Sequence, residues 1–246
     1  MSSNRPKSDL YGSSEREDAL FTGFTDETVQ FLMDLKFHNN PAFFHENHDR
    51  YVETVQTPFY EMIDDLAPFM KEIDPQMEIR PYKCLSRIHR DTRFSRDKSP
   101  YRDHHWFLFR RAGEPREKSL MYYFEFGPDR LSWGLGFWGE NRELMDLFRK
   151  RMRANPLGTL ALIDDMNLPD RNLFMGGSFF KRMEIPPEIP DRLKRWYTAK
   201  EMYISRYDPV RQWAFSTRIL NEVRKDFTVL SPLYRLLRGF MDELQP

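Results

Sequence analysis

Residues 120–137 read Leu120-Met-Tyr-Tyr-Phe-Glu-Phe126, then Gly127-Pro128-Asp129, then Arg130-Leu-Ser-Trp-Gly-Leu-Gly-Phe137. In the first run Leu120, Tyr122, Phe124 and Phe126 alternate with Met121, Tyr123 and Glu125. In the second, Leu131, Trp133, Leu135 and Phe137 alternate with Ser132, Gly134 and Gly136. Period two on both sides of a turn signal predicts an antiparallel hairpin. The apolar run from Trp106 to Phe109 and a strand around 79–88 supply enough partners for a stable sheet.

Helical patterns lie on both sides of these strands. Thr25 before Asp26 and Glu27 is a helix start: a hydroxyl caps free amides, and acids face the positive end of the dipole. Asn40-Pro41 and Thr57-Pro58 each read as a restart, with Pro at the first helical position. Phe59, Met62, Ile63, Leu66 and Met70 form a helical stripe that Pro68 is expected to kink or end. After the hairpin, Leu144, Leu147, Phe148 and Met152 recur along one helix side, and a short helix is expected near 160–166. Residues 167–190 are rich in Pro, Gly and Asn and read as a long surface connection. Two or three helices finish the chain, one opened by Ser231-Pro232. Helices, then strands, then helices make an α+β domain over 19–246: a central antiparallel sheet, with strands roughly 79–138, flanked by N-terminal and C-terminal helices.

Composition narrows the function classes. Lys plus Arg is 38 and Asp plus Glu is 38, so the net charge is zero. A generic nucleic-acid coat or polybasic membrane binder needs a bulk positive excess. Nucleic acid is thereby disfavoured without being excluded, because a local basic patch is still open. Twenty-one Phe and eleven Tyr supply ample core material. The one cysteine, Cys84, excludes an internal disulfide and a cysteine-built zinc site. It also favours a reducing, cytoplasmic setting. No apolar run approaches the roughly 18–20 residues of a membrane span. Residues 1–18 are polar and charged, unlike a secretory signal, and are expected to form a disordered leader.

One segment concentrates charge. From Arg87 to His105 the chain reads Arg-Ile-His-Arg-Asp-Thr-Arg-Phe-Ser-Arg-Asp-Lys-Ser-Pro-Tyr-Arg-Asp-His-His. Arg87, Arg90, Arg93 and Arg96 recur every third residue, followed by Lys98 and Arg102, with Asp91, Asp97 and Asp103 between them. The guanidinium fork matches carboxylate and phosphate oxygens two at a time. Two readings stand side by side. The arginines and aspartates pin a loop by pairing with each other, or the excess cations grip an anion. A remote acid such as Glu125 is a third outlet for the excess charge.

Arg90-Asp-Thr-Arg-Phe-Ser-Arg-Asp-Lys-Ser-Pro-Tyr101 resembles the signature of a widespread family of unknown function. Phe31-Leu32, Asn39-Asn40 and Phe44 are similar to that family's opening stretch, with Phe44 where tryptophan is more usual. Tyr51, Pro58, Tyr122-Tyr123, 134–136 and 144–149 extend the resemblance over most of the chain. It implies no activity, so the residues themselves must indicate the chemistry.

On those residues the leading expectation is a small-ligand site for an anionic or phosphorylated compound, with or without enzymatic chemistry. Arg87, Arg90, Arg93, Ser95 and Lys98 would hold the ligand, Asp91 and Asp97 would orient it, and Tyr101 and His104 are candidate proton-transfer groups. The rival is a non-catalytic interaction module in which the same segment clamps an acidic protein segment or nucleic-acid phosphates. An enclosed pocket favours the first and a flat basic stripe the second. His89, Asp91, His104 and His105 offer metal-type ligands, but adjacent histidines on a strand point to opposite faces and arginines repel a dication. Ser95 and Ser99 lack a nucleophile elbow, and Cys84 reads as a buried hydrophobe. No cofactor motif is present. The bare positions Ser132, Gly134 and Gly136 mark close approach by a backbone, a ligand or, most commonly, a packed helix.

Overall fold

The computed structural model describes residues 19–244, so the expected leader at 1–18 lies outside the described residues. The chain opens with α1 (Asp26–Phe37), capped by Thr25 in a reciprocal box with Thr28. Next come α2 (Pro41–Glu46), capped by the Asn40 side chain, and the short α3 (His48–Tyr51). A wide π-helical turn, Val52–Gln56, then leads without a break into α4 (Thr57–Ile73). The expected restart at Thr57-Pro58 is therefore absent. Proline has no N–H to contribute, and the wider turn accommodates the missing donor. Pro68 does not end α4, whose stripe of Phe59, Met62, Ile63, Leu66 and Met70 is wholly buried.

The strand expected around 79–88 is a short helix, α5 (Pro81–Cys84), flanked by single bridges at Met77, Leu85 and His89. Pro81 cannot donate to a sheet ladder and suits a first helical turn. The sheet begins with β1 (His105–Phe109) and continues into the hairpin of β2 (Leu120–Phe126) and β3 (Arg130–Phe137). After α6 (Arg142–Ala154) and α7 (Pro156–Asp165) comes β4 (Leu173–Gly176), inside the expected surface connection. A short α8 (Lys194–Tyr197) precedes β5 (Tyr203–Pro209), which sequence patterning did not single out. The chain then closes with one long helix, α9 (Arg218–Leu244), with Pro232 in its interior rather than at a start.

The five strands order β1-β2-β3-β5-β4, and every neighbour pair is antiparallel. The α+β architecture is thus as expected, but the sheet extends well beyond residue 138. Its two faces differ. Phe107, Tyr122, Phe124, Trp133 and Ile204 are fully buried beneath helices. There α4 packs on β1, and α9 packs on β2 and β3. Phe59 meets Phe107 and Phe124, and Tyr122 lies between Phe227 and Tyr234. The opposite face carries Trp106, Leu108, Tyr123, Ser205 and Tyr207, and no helix packs on it in the same way.

Two buried ion networks tie helices to strands on the covered side. Asp226 of α9 is fully buried and accepts from Trp133 Nε1 at 2.9 Å, Arg171 at 2.5 Å and Arg206 at 3.2 Å. Asp74, at the end of α4, accepts from Arg111 and from the Tyr234 hydroxyl, each at 2.6 Å.

Candidate functional site

The charged segment folds back on itself. The Arg90 amide donates to Pro100 and the Arg102 amide to Ile88, and His89 bridges to Tyr101. Asn39 brackets Tyr101 from outside: its side chain donates to the Tyr101 carbonyl and accepts from the Tyr101 amide, both at 2.9 Å. Phe44 stacks on the Tyr101 ring with centroids 4.3 Å apart. The two stretches that carry the family resemblance, distant in sequence, therefore meet here.

Most charges in the segment satisfy each other. Arg90 pairs with Asp97, which also accepts from the Ser99 amide and hydroxyl. The Ser99 hydroxyl first, then Arg90, hold the Asp97 carboxyl below its ordinary range. Arg93 makes a two-pronged contact with Asp91, whose pKa falls to about 2 as a result. Lys98 donates to the Thr92 carbonyl, and Ser95 touches Arg90 at 3.5 Å. Arg87 is exposed, and its carbonyl accepts from Arg102 Nε at 3.4 Å. Arg87, Asp91, Arg93 and Lys98 thus do not converge on one point. Arg90, Asp97, Tyr101 and His104 do converge, lining a surface hollow of about 460 Å³ with Lys36 and Arg102. Tyr101 is buried there, while His104 Nδ1 lies 2.9 Å from Asp103. The neighbouring His105 points the other way into the core, as strand alternation requires.

Arg102 and His104 also line a second hollow, a cleft of about 420 Å³ on the open face of the sheet. Its floor comes from Leu108, Met121, Tyr123, Tyr203 and Ser205. Arg102 sits over the Trp106 ring at 4.6 Å, and His104 stacks against the same indole at 5.4 Å. Arg116, from the connection between β1 and β2, lies 4.0 Å over Trp138 and 5.8 Å from Trp106. Neither Arg102 nor Arg116 forms an ion pair among the described residues. Burial first, then Arg90, push the Arg102 pKa down, and burial followed by Arg102 and Arg110 does the same to Arg116. Trp106 Nε1 and Arg116 Nε and Nη2 are buried without a hydrogen-bond partner.

A family model matches residues 27–236, from the second residue of α1 to well inside α9. The chain belongs to DUF2461, a family of conserved hypothetical proteins. No curated protein matches it. The DUF2461 span includes every residue of both hollows.

Sequence reasoning passed over Arg116, Trp106, Trp138, Tyr203 and Tyr207 as site residues. The alternation in β2 and β3 was the available signal: an antiparallel sheet with helices on one side leaves its other face for a ligand or solvent. The bare positions have a different cause from a packed helix. A methyl on Gly134 would collide with the Ile204 carbonyl of β5, and one on Gly136 with Tyr203. Glu125 does not reach the charged segment; its cation is Arg130, at 3.6 Å. Cys84 is buried, and burial lifts its thiol to about 12. No group of three His, Cys, Asp or Glu side chains able to hold a metal occurs among the described residues, and no helix among them is long and apolar enough to cross a membrane.

Proposed function

We propose that this chain is a binding domain for a small anionic ligand, held on the open sheet face where Arg102, Arg116 and Trp106 meet. The orphaned donors carry this reading. Trp106 Nε1 and Arg116 Nε and Nη2 are N–H groups with no acceptor, beside a second guanidinium that has no carboxylate. Buried donors without partners are rare, and three together call for an acceptor from outside the chain. An oxyanion supplies acceptor oxygens and the countercharge at once. Arg116 rests on Trp138, which is 63% exposed, so it can turn toward the cleft without unpacking the core. His104, oriented by Asp103, stands in the same wall as the candidate proton-transfer group for any chemistry on the bound anion.

Thermal unfolding in phosphate, sulfate and pyrophosphate tests this. A ligand of the native state stabilises by about 2.7 kcal/mol at a hundred times its Kd. Wild type should respond, while Arg102→Ala and Arg116→Ala should fold yet lose the response. A wild type indifferent to every anion discards the reading.

One observation favours a second reading. Phe94 is 96% exposed at the tip of the charged loop, with Arg93, Arg96 and Lys98 around it. Such a tip suits contact with an acidic protein segment or nucleic-acid phosphates. Charge reversal at Arg96 and Lys98 would then abolish partner binding and leave the small-anion response intact.

A further inference from the structure

Two tyrosines on the open face lie along the sheet instead of standing away from it. Tyr123 of β2 is opposite Gly134 of β3, which is opposite Ser205 of β5. The Tyr123 hydroxyl is 2.6 Å from Ser205 Oγ and 3.0 Å from Ser132 Oγ, so its ring crosses the whole of β3 where Gly134 has no side chain. Tyr203 does the same one strand over: a methyl on Gly176 of β4 would fall on its ring carbons. A ring laid flat turns a π-face outward, and both rings border the cleft.

The charges are divided along that cleft. Arg102 and Trp106 stand at the row of Glu125, and Tyr203 at the row of Met121 and Gly136. Those rows are four residues apart along β2, roughly 13 Å in an extended strand. A bare phosphate or small carboxylate cannot touch both ends. Near Tyr203 stands Glu201, a lining residue whose carboxylate accepts from the Ser178 amide at 3.1 Å. A carboxylate there repels a second anionic group and accepts N–H donors. The cleft thus presents cations at one end, and a flat aromatic platform edged by an acceptor at the other.

We infer that the bound anion carries a flat, N–H-bearing ring, with its oxyanion at Arg102 and Arg116 and its ring on Tyr203 beside Glu201, and that the ligand class is a nucleoside monophosphate. This rests on the anion reading above and adds the second half of the ligand. The cleft volume, about 420 Å³, falls within the range of small-molecule sites. Stacking on an aromatic ring adds about tenfold or more to affinity and tolerates any base, so the geometry selects a class and not one nucleotide.

Calorimetric titration of the full chain with AMP, GMP, CMP and UMP, against ribose 5-phosphate, tests this. At least one nucleotide should bind about tenfold more tightly than ribose 5-phosphate. Tyr203→Leu should remove that advantage while the ribose 5-phosphate affinity stays. Should Tyr203→Leu fail to fold, Glu201→Gln should shift the preference among the four bases and leave ribose 5-phosphate unchanged. Arg102→Ala should weaken all five ligands alike. If ribose 5-phosphate binds as well as every nucleotide, the ring inference is overturned and the anion reading stands; if no phosphate compound binds, both fail. A short single-stranded oligonucleotide that binds far more tightly than any mononucleotide also overturns the inference, in favour of a strand-binding face.

Discussion

The hydroxyl of Tyr51, at the end of α3, lies 2.9 Å from Nε2 of His105, at the start of β1. Ser86 Oγ closes the other side of the imidazole, 2.8 Å from Nδ1, and the ring is fully buried. Both ring nitrogens are therefore occupied by neutral hydroxyls. No carboxylate is there to balance a proton, so burial first, then His104 and Arg102, push the His105 pKa down to about 3.

That depression makes stability fall with acid. The unfolded chain binds the proton near pH 6.5 and the native state only near 3, so this stabilisation is complete above about 6.5 and is lost as pH falls toward 3. At roughly 1.4 kcal/mol per unit, the loss reaches about 2 kcal/mol by pH 5, before most carboxylates titrate. Chemical denaturation at pH 7.5, 6.0 and 5.0 should show this slope, and His105→Gln should flatten it. Equal slopes in both proteins would mean that His105 is not held neutral.

Asp226 is a second buried group whose partners predict a measurable effect. Asp226→Ala leaves Arg206 short of one of its three acids, Arg171 without its ion pair and the Trp133 N–H without an acceptor. Removing one partner of a buried ion pair costs about 3–5 kcal/mol. The variant should unfold at much lower urea than wild type, and Trp133→Phe, which removes only the indole donor, should cost far less. A small shift for Asp226→Ala would place its stabilising partners elsewhere.

Glycines in this chain separate by what surrounds them. Gly134→Ala drives a methyl into the β5 backbone at Ile204, and overpacking of this kind costs about 1–3 kcal/mol. Gly239, exposed within α9, meets nothing within 4 Å, and Gly239→Ala should stabilise by roughly 0.5–1 kcal/mol through helix propensity. Opposite signs of the two melting shifts are the expected result.

Within the charged segment, pinning and exposure predict opposite responses. Arg93→Ala removes a pair whose members are 77% and 57% exposed, and should change stability by less than about 0.5 kcal/mol. Asn39→Ala removes both bonds that bracket Tyr101 and should cost about 1–3 kcal/mol. Limited trypsin digestion is a sensitive readout: Asn39→Ala should speed cleavage between Arg90 and Lys98, and Arg93→Ala should do so only by changing the cut site itself.

Local chemistry decided what the sequence alone could show. The β2–β3 hairpin was legible because side-chain period and turn residues act within a few positions of each other, and Thr25 and Asn40 marked helix starts for the same reason. The charged segment was legible as a concentration of guanidinium, but not by the fate of each one. Whether an arginine is paired depends on what folding brings beside it: Arg90 met Asp97 and Arg93 met Asp91, while Arg102 and Arg116 met indole rings. β5 was missed because its strand order, between β3 and β4, comes from long-range ladder bonds that leave no local period. The cleft follows from that order. Ser205 and Tyr203 come to lie beside Gly134 and Gly136 only when β5 docks on β3, and only the tertiary structure left that face uncovered by a helix.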